Sequence, residues 1–199
     1  MLPRLASLTL CYTFIAVLPC IAYASDTQQT TDTSRRPGSY ISAALGYVQA
    51  RTWLDANDDH DKLMIGPLHT FGTSFRVGDA FSDWFTLGFQ IQIISAKADN
   101  AQTSVFDLVL DATFYPWRGL GLRPSVGIGM GYAKGKNDWE FGGGGPAAMS
   151  LATLYEFRIT KRLTLAPVAQ ALWITGGEFN GVFLFFGLEL TKWFMTATS

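Results

Sequence analysis

From Tyr40 onward, apolar and polar residues alternate with a period of two in eight segments, near 40–49, 67–77, 84–95, 103–115, 120–133, 147–159, 162–174 and 182–194. In the fourth segment Phe106, Leu108, Leu110, Ala112 and Phe114 fall on one face, and Thr103, Val105, Asp107, Val109, Asp111 and Thr113 on the other. The third sets Phe85, Leu87, Phe89, Ile91 and Ile93 against Thr86, Gly88, Gln90 and Gln92. The fifth sets Leu122, Val126, Ile128, Met130 and Tyr132 against Arg123, Ser125, Gly127, Gly129 and Gly131. A helix would scatter these sets around its circumference, whereas a strand separates them cleanly. The pattern predicts eight β-strands, each with the ~9–11 residues that a tilted strand needs to cross a bilayer.

The links between segments alternate too. Those at 50–66, 96–102, 134–146 and 175–181 are generally longer than those at 78–83, 116–119 and 160–161. An up-and-down antiparallel barrel entered from the periplasm has this asymmetry, with long loops outside and tight turns inside. An even strand count also returns the chain to the side where it began.

Two barrels fit the alternation, and the polar face chooses between them. A soluble barrel turns its apolar face inward, and a transmembrane barrel does the reverse. The polar face carries Ser42, Ala44, Gly46, Thr70, Gly72, Ser74, Gly88, Gln90, Gly127, Gly129, Ser150 and Ala152, mostly small residues. Small side chains suit a crowded narrow lumen, while a solvated face is rich in Lys and Glu. The other face is almost free of charge across its middle, as lipid contact requires, because a charge at the midplane costs roughly 2–4 kcal/mol. Aromatic residues gather at the segment ends: Trp84, Phe114, Tyr115, Trp117, Trp193 and Phe194 toward the expected periplasmic rim, and Tyr47, Trp53, Tyr132, Trp139 and Trp173 toward the outer one. Two such girdles are the expected interfacial anchors.

Upstream of the alternation, Arg4, the apolar stretch from Leu5 to Ile21 and the tripeptide Ala22-Tyr23-Ala24 read as a secretory signal cleaved before Ser25. A lipoprotein signal acylated at Cys20 is disfavoured by Pro19. Residues 25–37 form a polar leader without aromatic residues, 38–194 the barrel and 195–199 a short tail. Both cysteines, Cys11 and Cys20, fall inside the signal, so the exported chain carries no thiol for a disulfide or thiolate metal site. Without the signal, 14 Lys and Arg stand against 16 Asp and Glu, a net charge of −2 with no basic block, which speaks against nucleic acid as a partner.

Across 38–194 the chain resembles the eight-stranded outer-membrane barrel families, those of the OmpA transmembrane domain and OmpX. Strand count, link asymmetry and the closing segment Phe183-Leu-Phe-Phe-Gly-Leu-Glu-Leu-Thr-Lys-Trp-Phe194 carry the resemblance. It implies residence in the bacterial outer membrane, contact with outer-membrane lipid and lipopolysaccharide, and insertion by the barrel-assembly machinery. That machinery reads a final aromatic residue in these families; here Met195 to Ser199 follow Phe194.

The candidate chemistry lies in the lumen and in one loop. Arg76, Asp107, Asp111, Arg123, Glu156, Arg158 and Glu189 are expected to point inward, mostly in the periplasmic half, with Asp111 and Arg123 nearly opposite each other. Charges kept from water must be paired, so an ion-pair plug is the first reading, and a narrow gated channel through rearranged pairs is the alternative. In the outer half Gly127, Gly129 and Gly131 face Leu172, Ile174, Phe183 and Phe185. This predicts either small-against-large packing or a pocket for an acyl chain. Asp55, Asn57 and Asp59 match the opening of a calcium loop, but His60 at the sixth position and Gly66 at the twelfth do not fit one; at most a weak surface cation site of Asp55, Asn57, Asp59 and Asp61 is expected.

No cofactor or structural metal is expected. The two histidines are His60 and His69, and His69 shares its outward parity with Ser95 near the outer rim, where a lipid-modifying barrel could place a nucleophile and its base. No acid on that face would orient His69. The sequence therefore favours a non-enzymatic barrel that supports the envelope or presents surface loops, with a lipid-binding or lipid-modifying barrel as the rival.

Overall fold

The computed structural model describes residues 38–55, 62–98, 101–135, 140–143, 147–175 and 179–194. Ten strands follow in chain order: β1 (Ser39–Asp55), β2 (Lys62–Ser82), β3 (Phe85–Ala98), β4 (Ala101–Phe114), β5 (Leu120–Gly135), β6 (Glu140–Gly143), β7 (Ala147–Tyr155), β8 (Phe157–Thr160), β9 (Leu163–Thr175) and β10 (Phe179–Trp193). Eight of them, β1 to β5 with β7, β9 and β10, pair antiparallel in a closed ring that β10 completes against both β9 and β1. The short β6 pairs the distal part of β5, and β8 carries the register of β7 onward along β9.

The paired residues fix how the ring closes. Starting at Ser42, the partners run through Arg76, Gln90, Val109, Gly127, Ala148, Ile174 and Gly181, and return to β1 at Thr52, ten positions along. Strands staggered in this way tilt against the barrel axis. An eight-stranded bore is just wide enough for side chains to fill.

The distribution of side chains is inverted relative to a water-soluble protein. Among the described residues, large apolar side chains such as Phe71, Leu45, Phe89, Ile128 and Leu188 lie exposed on the outside. Arg76, Asp107, Asp111, Arg123 and Glu189 are buried inside at 3% exposure or less. Among the described residues, outward charges lie near the strand ends: Arg51, Lys97 and Lys134 at the distal end, Asp79 and Lys192 at the end where β1 begins and β10 finishes, the terminal end. The belt between them is apolar. From Phe85 to Ile93, a strand tilted by about 40° climbs roughly 20 Å, on the scale of a bilayer's hydrocarbon thickness.

Several expectations need correction. The strands run on into the predicted distal links, so that β1 and β2 are paired as far as Asp55 and Lys62 rather than parting at 50 and 66. Gly66-Pro67 falls at the expected boundary. Proline has no N–H to donate to a ladder, and Gly66 takes a φ of +125°, but the pair is accommodated as an irregularity opposite Arg51 and the hairpin continues beyond it. The sixth segment is broken at Glu156, whose N–H bonds the carbonyl of Gly119 at 2.8 Å, which splits it into β7 and β8. Tyr115 and Trp193, expected in the girdle, are buried in the bore, whereas Trp84, Trp117, Phe114 and Phe194 are exposed as expected.

Candidate functional site

The terminal half of the lumen is built on four charges from four strands. Arg76 on β2 donates from Nε to Asp111 Oδ2 on β4 at 3.1 Å and from Nη2 to the other oxygen of the same carboxylate, a two-point pairing. Its Nη1 donates to Glu189 Oε1 on β10 at 3.0 Å. Arg123 on β5 grips the same Glu189 with both terminal nitrogens, Nη1 to Oε2 at 2.8 Å and Nη2 to Oε1 at 2.9 Å. Two cations and two anions thus form one balanced set spanning the bore. Planar guanidinium forks suit this two-point geometry, which a lysine could not reproduce.

Polar and aromatic groups close the set from below. Tyr40 accepts from Arg76 Nη2 at 2.8 Å and lies with its ring centroid 5.1 Å from the guanidinium carbon. Thr113 Oγ1 accepts from Arg123 Nε at 3.2 Å, and Thr191 donates to Glu189 at 3.4 Å. Trp193 packs on Tyr40 with ring centroids 5.1 Å apart, and its indole N–H donates to Thr164 at 3.3 Å. The inward parity of Tyr40, Thr113 and Trp193 was visible in the alternation. Their part in holding the arginines was not.

The structure sorts the seven inward-charge candidates into three groups. Arg76, Asp111, Arg123 and Glu189 meet, although the neighbours expected to pair, Asp111 and Arg123, each take a partner from a more distant strand instead. Asp107 lies deeper, buried away from that set. Arg158 is a correction: it has the inward parity but lies beyond the break at Glu156, exposed at the barrel end. Glu156 is half-buried there and accepts from Tyr115 Oη at 2.5 Å.

Above the charges comes a polar layer. Gln170 donates to Ser150 at 2.8 Å, Ser150 and Ser125 share a bond of 2.5 Å, and Gln90 donates to Gln92 at 3.3 Å. The distal half is apolar, with Phe179, Phe183, Phe185, Leu172 and Ile174 fully buried. Rings sit where glycines leave room: a Cβ on Gly131 would lie 2.2 Å from the ring of Phe179, and one on Gly46 would lie 2.6 Å from Phe185. Near Gly129 the space is taken by Ile174 and Ala148, and Gly127 lies against the backbone of Leu108 and Val109. Phe179 lies before the predicted last segment of 182–194, although 179, 183 and 185 share one parity.

No family model matches the sequence, and no curated protein matches it. In structure the chain is similar to Ail, the attachment invasion locus protein of Yersinia pestis, with a TM-score of 0.53 at 12% identity over 78% of this chain and 99% of that one. It is similar also to Neisserial surface protein A, with a TM-score of 0.53 at 11% identity over 76% and 96% of the two chains. This is the fold of the small eight-stranded outer-membrane barrels. At such identities the likeness speaks for the fold and carries no site residue with it.

The remaining candidates stand apart from the lumen. His69 lies exposed on the outside, stacked on Tyr47 and hydrogen-bonded to the tyrosine hydroxyl through Nδ1. Ser95 shares its hydroxyl with Ser104 at 3.3 Å. The two are thus engaged with different partners. Asn57, Asp59 and Asp61 of the candidate cation loop lie outside the described residues, as do the expected signal and leader; Asp55 ends β1. Among the described residues, no three His, Cys, Asp or Glu side chains gather as a metal would require.

Proposed function

We propose that this chain is an outer-membrane barrel without enzymatic activity, exported with its signal cleaved near Ala24 and closed along its bore by its own side chains. It serves envelope structure or presents its distal loops to surface partners. One observation carries the reading: Arg76, Asp111, Glu189 and Arg123 interlock across the lumen at 2.8–3.1 Å. Breaking such a set exposes a charge with no water to receive it, which costs several kcal/mol and keeps the bore shut. The packed rings of Phe179, Phe183 and Phe185 support closure at the other end, and favour small-against-large packing over an acyl-chain pocket.

The apolar belt fits a membrane, with the terminal end toward the periplasm, lipid and lipopolysaccharide around the wall, and the barrel-assembly machinery as the route of insertion. One structure of Ail holds sucrose octasulfate, a heparin analogue. Here the sequence places four acids, Asp55, Asp58, Asp59 and Asp61, within seven residues, a local negative charge that disfavours a sulfated polyanion, so that ligand is not carried over. His69 and Ser95, engaged with separate partners, give little support to the lipid-modifying rival.

Planar-bilayer recording tests closure: folded protein should show no steady large conductance, and a stable open pore would overturn the reading. Incubation with lipopolysaccharide or phospholipid tests the absence of enzymatic activity. Release or transfer of acyl chains that disappears in His69→Ala would refute it.

A further inference from the structure

Charge balance in the lumen leaves one group over. Among the described residues the buried charged side chains are Arg76, Arg123, Asp107, Asp111 and Glu189. Two cations and two anions of these pair with one another. Asp107 is 0% exposed, and neither of its carboxylate oxygens has a hydrogen-bond partner. It lies four residues along β4 from Asp111, about 13 Å at the rise of a strand. Both guanidiniums are turned to Asp111 and Glu189, and none of their bonds reaches Asp107.

The surroundings of Asp107 offer oxygen and amide but no charge. Gln92 stands directly across on β3, Gly129 across on β5, and Val105 and Val109 share its own face. Gln92 is fully buried, its Nε2 has no partner, and its Oε1 accepts from Gln90 at 3.3 Å. An isolated ionised carboxylate out of water carries a penalty of several kcal/mol, relieved by a proton, a cation or strong donors. Hard carboxylate and amide oxygens suit an alkali or alkaline-earth ion. The missing charge is a single positive one, and among the described residues no cluster of three acids or histidines is present to hold a divalent ion.

We propose that the Asp107 carboxylate and the Gln92 amide oxygen hold a monovalent metal cation in the middle of the lumen, with water completing its shell. Such a water also gives Gln92 Nε2 the acceptor it lacks. The cation makes the bore electrically neutral and ties β3 to β4 between the ion-paired and the aromatic halves.

The test uses the folded full barrel in a non-ionic detergent, with sodium, potassium or N-methyl-D-glucamine chloride at one ionic strength. Thermal unfolding, read by heat-dependent gel migration and circular dichroism, should rise by about 3–6 °C in the alkali salt when the ion stands at ten times its Kd. The rise should saturate, vanish in Asp107→Asn, and need several-fold more salt in Gln92→Leu. Sodium-23 NMR should show line broadening that potassium displaces and Asp107→Asn abolishes. Identical unfolding in all three chlorides overturns the proposal. So does a cation effect that survives in Asp107→Asn or is untouched by Gln92→Leu.

Discussion

The two halves of the lumen fill the same eight-stranded bore by different physics. Toward the terminal end, four charges from β2, β4, β5 and β10 satisfy one another through directed bonds, with Tyr40, Thr113 and Thr191 taking up remaining capacity. Toward the distal end, phenylalanine rings occupy the volume that glycines vacate. The first solution depends on charge and direction, because removing one partner strands another charge. The second depends on volume, because interiors pack at crystal-like density and an added carbon has nowhere to go. A narrow barrel can thus be filled by complementarity of either kind, and in the function proposed above each kind closes one end.

The largest effect should come from the anion that both arginines share. Glu189→Ala leaves Arg123 without a carboxylate and should cost about 3–5 kcal/mol, read as a lower urea midpoint of the detergent-folded barrel. In the aromatic half, Gly131→Ala places a methyl against the buried ring of Phe179 and should cost about 1–3 kcal/mol in the same assay. Its bilayer conductance should stay as low as that of the parent, since the added methyl fills the bore further. A paired replacement sharpens the contrast. Arg76→Met alone should be strongly destabilising, whereas Arg76→Met with Asp111→Leu should recover most of that loss, because Arg123 and Glu189 remain as a balanced pair. No rescue by Asp111→Leu would mean that direction, not charge balance, dominates. The smallest effect belongs to Arg158→Gln at the exposed barrel end, about 1 kcal/mol or less.

Much of the wall was readable in advance, and the reason is local. The faces of the fourth segment, from Phe106 to Phe114 outward and from Thr103 to Thr113 inward, are those of β4, because a pleated strand cannot place neighbours on the same side. Boundaries were harder. Gly66-Pro67 reads as a breaker, yet the β1–β2 hairpin passes through it, since ladder pairing on both sides outweighs one missing donor. Parity also predicts direction without depth. Tyr115 and Trp193 obey the alternation and lie buried within the barrel, while Arg158 obeys it beyond the barrel's end.

The sequence by itself determined that there are eight strands in the ring, which face of each looks inward, and that the inward set mixes small, polar and charged side chains with a few large apolar ones. It did so because alternation with period two is a property of each strand alone. Which inward residues meet was decided only by the tertiary structure. Closure with a ten-residue stagger tilts every strand and sets the height at which its side chains enter the bore, so that Glu189 lies between Arg76 and Arg123, Arg76 reaches Asp111, and Asp107 is left unpaired. Register and stagger are relations among strands far apart in the chain, and no local pattern encodes them.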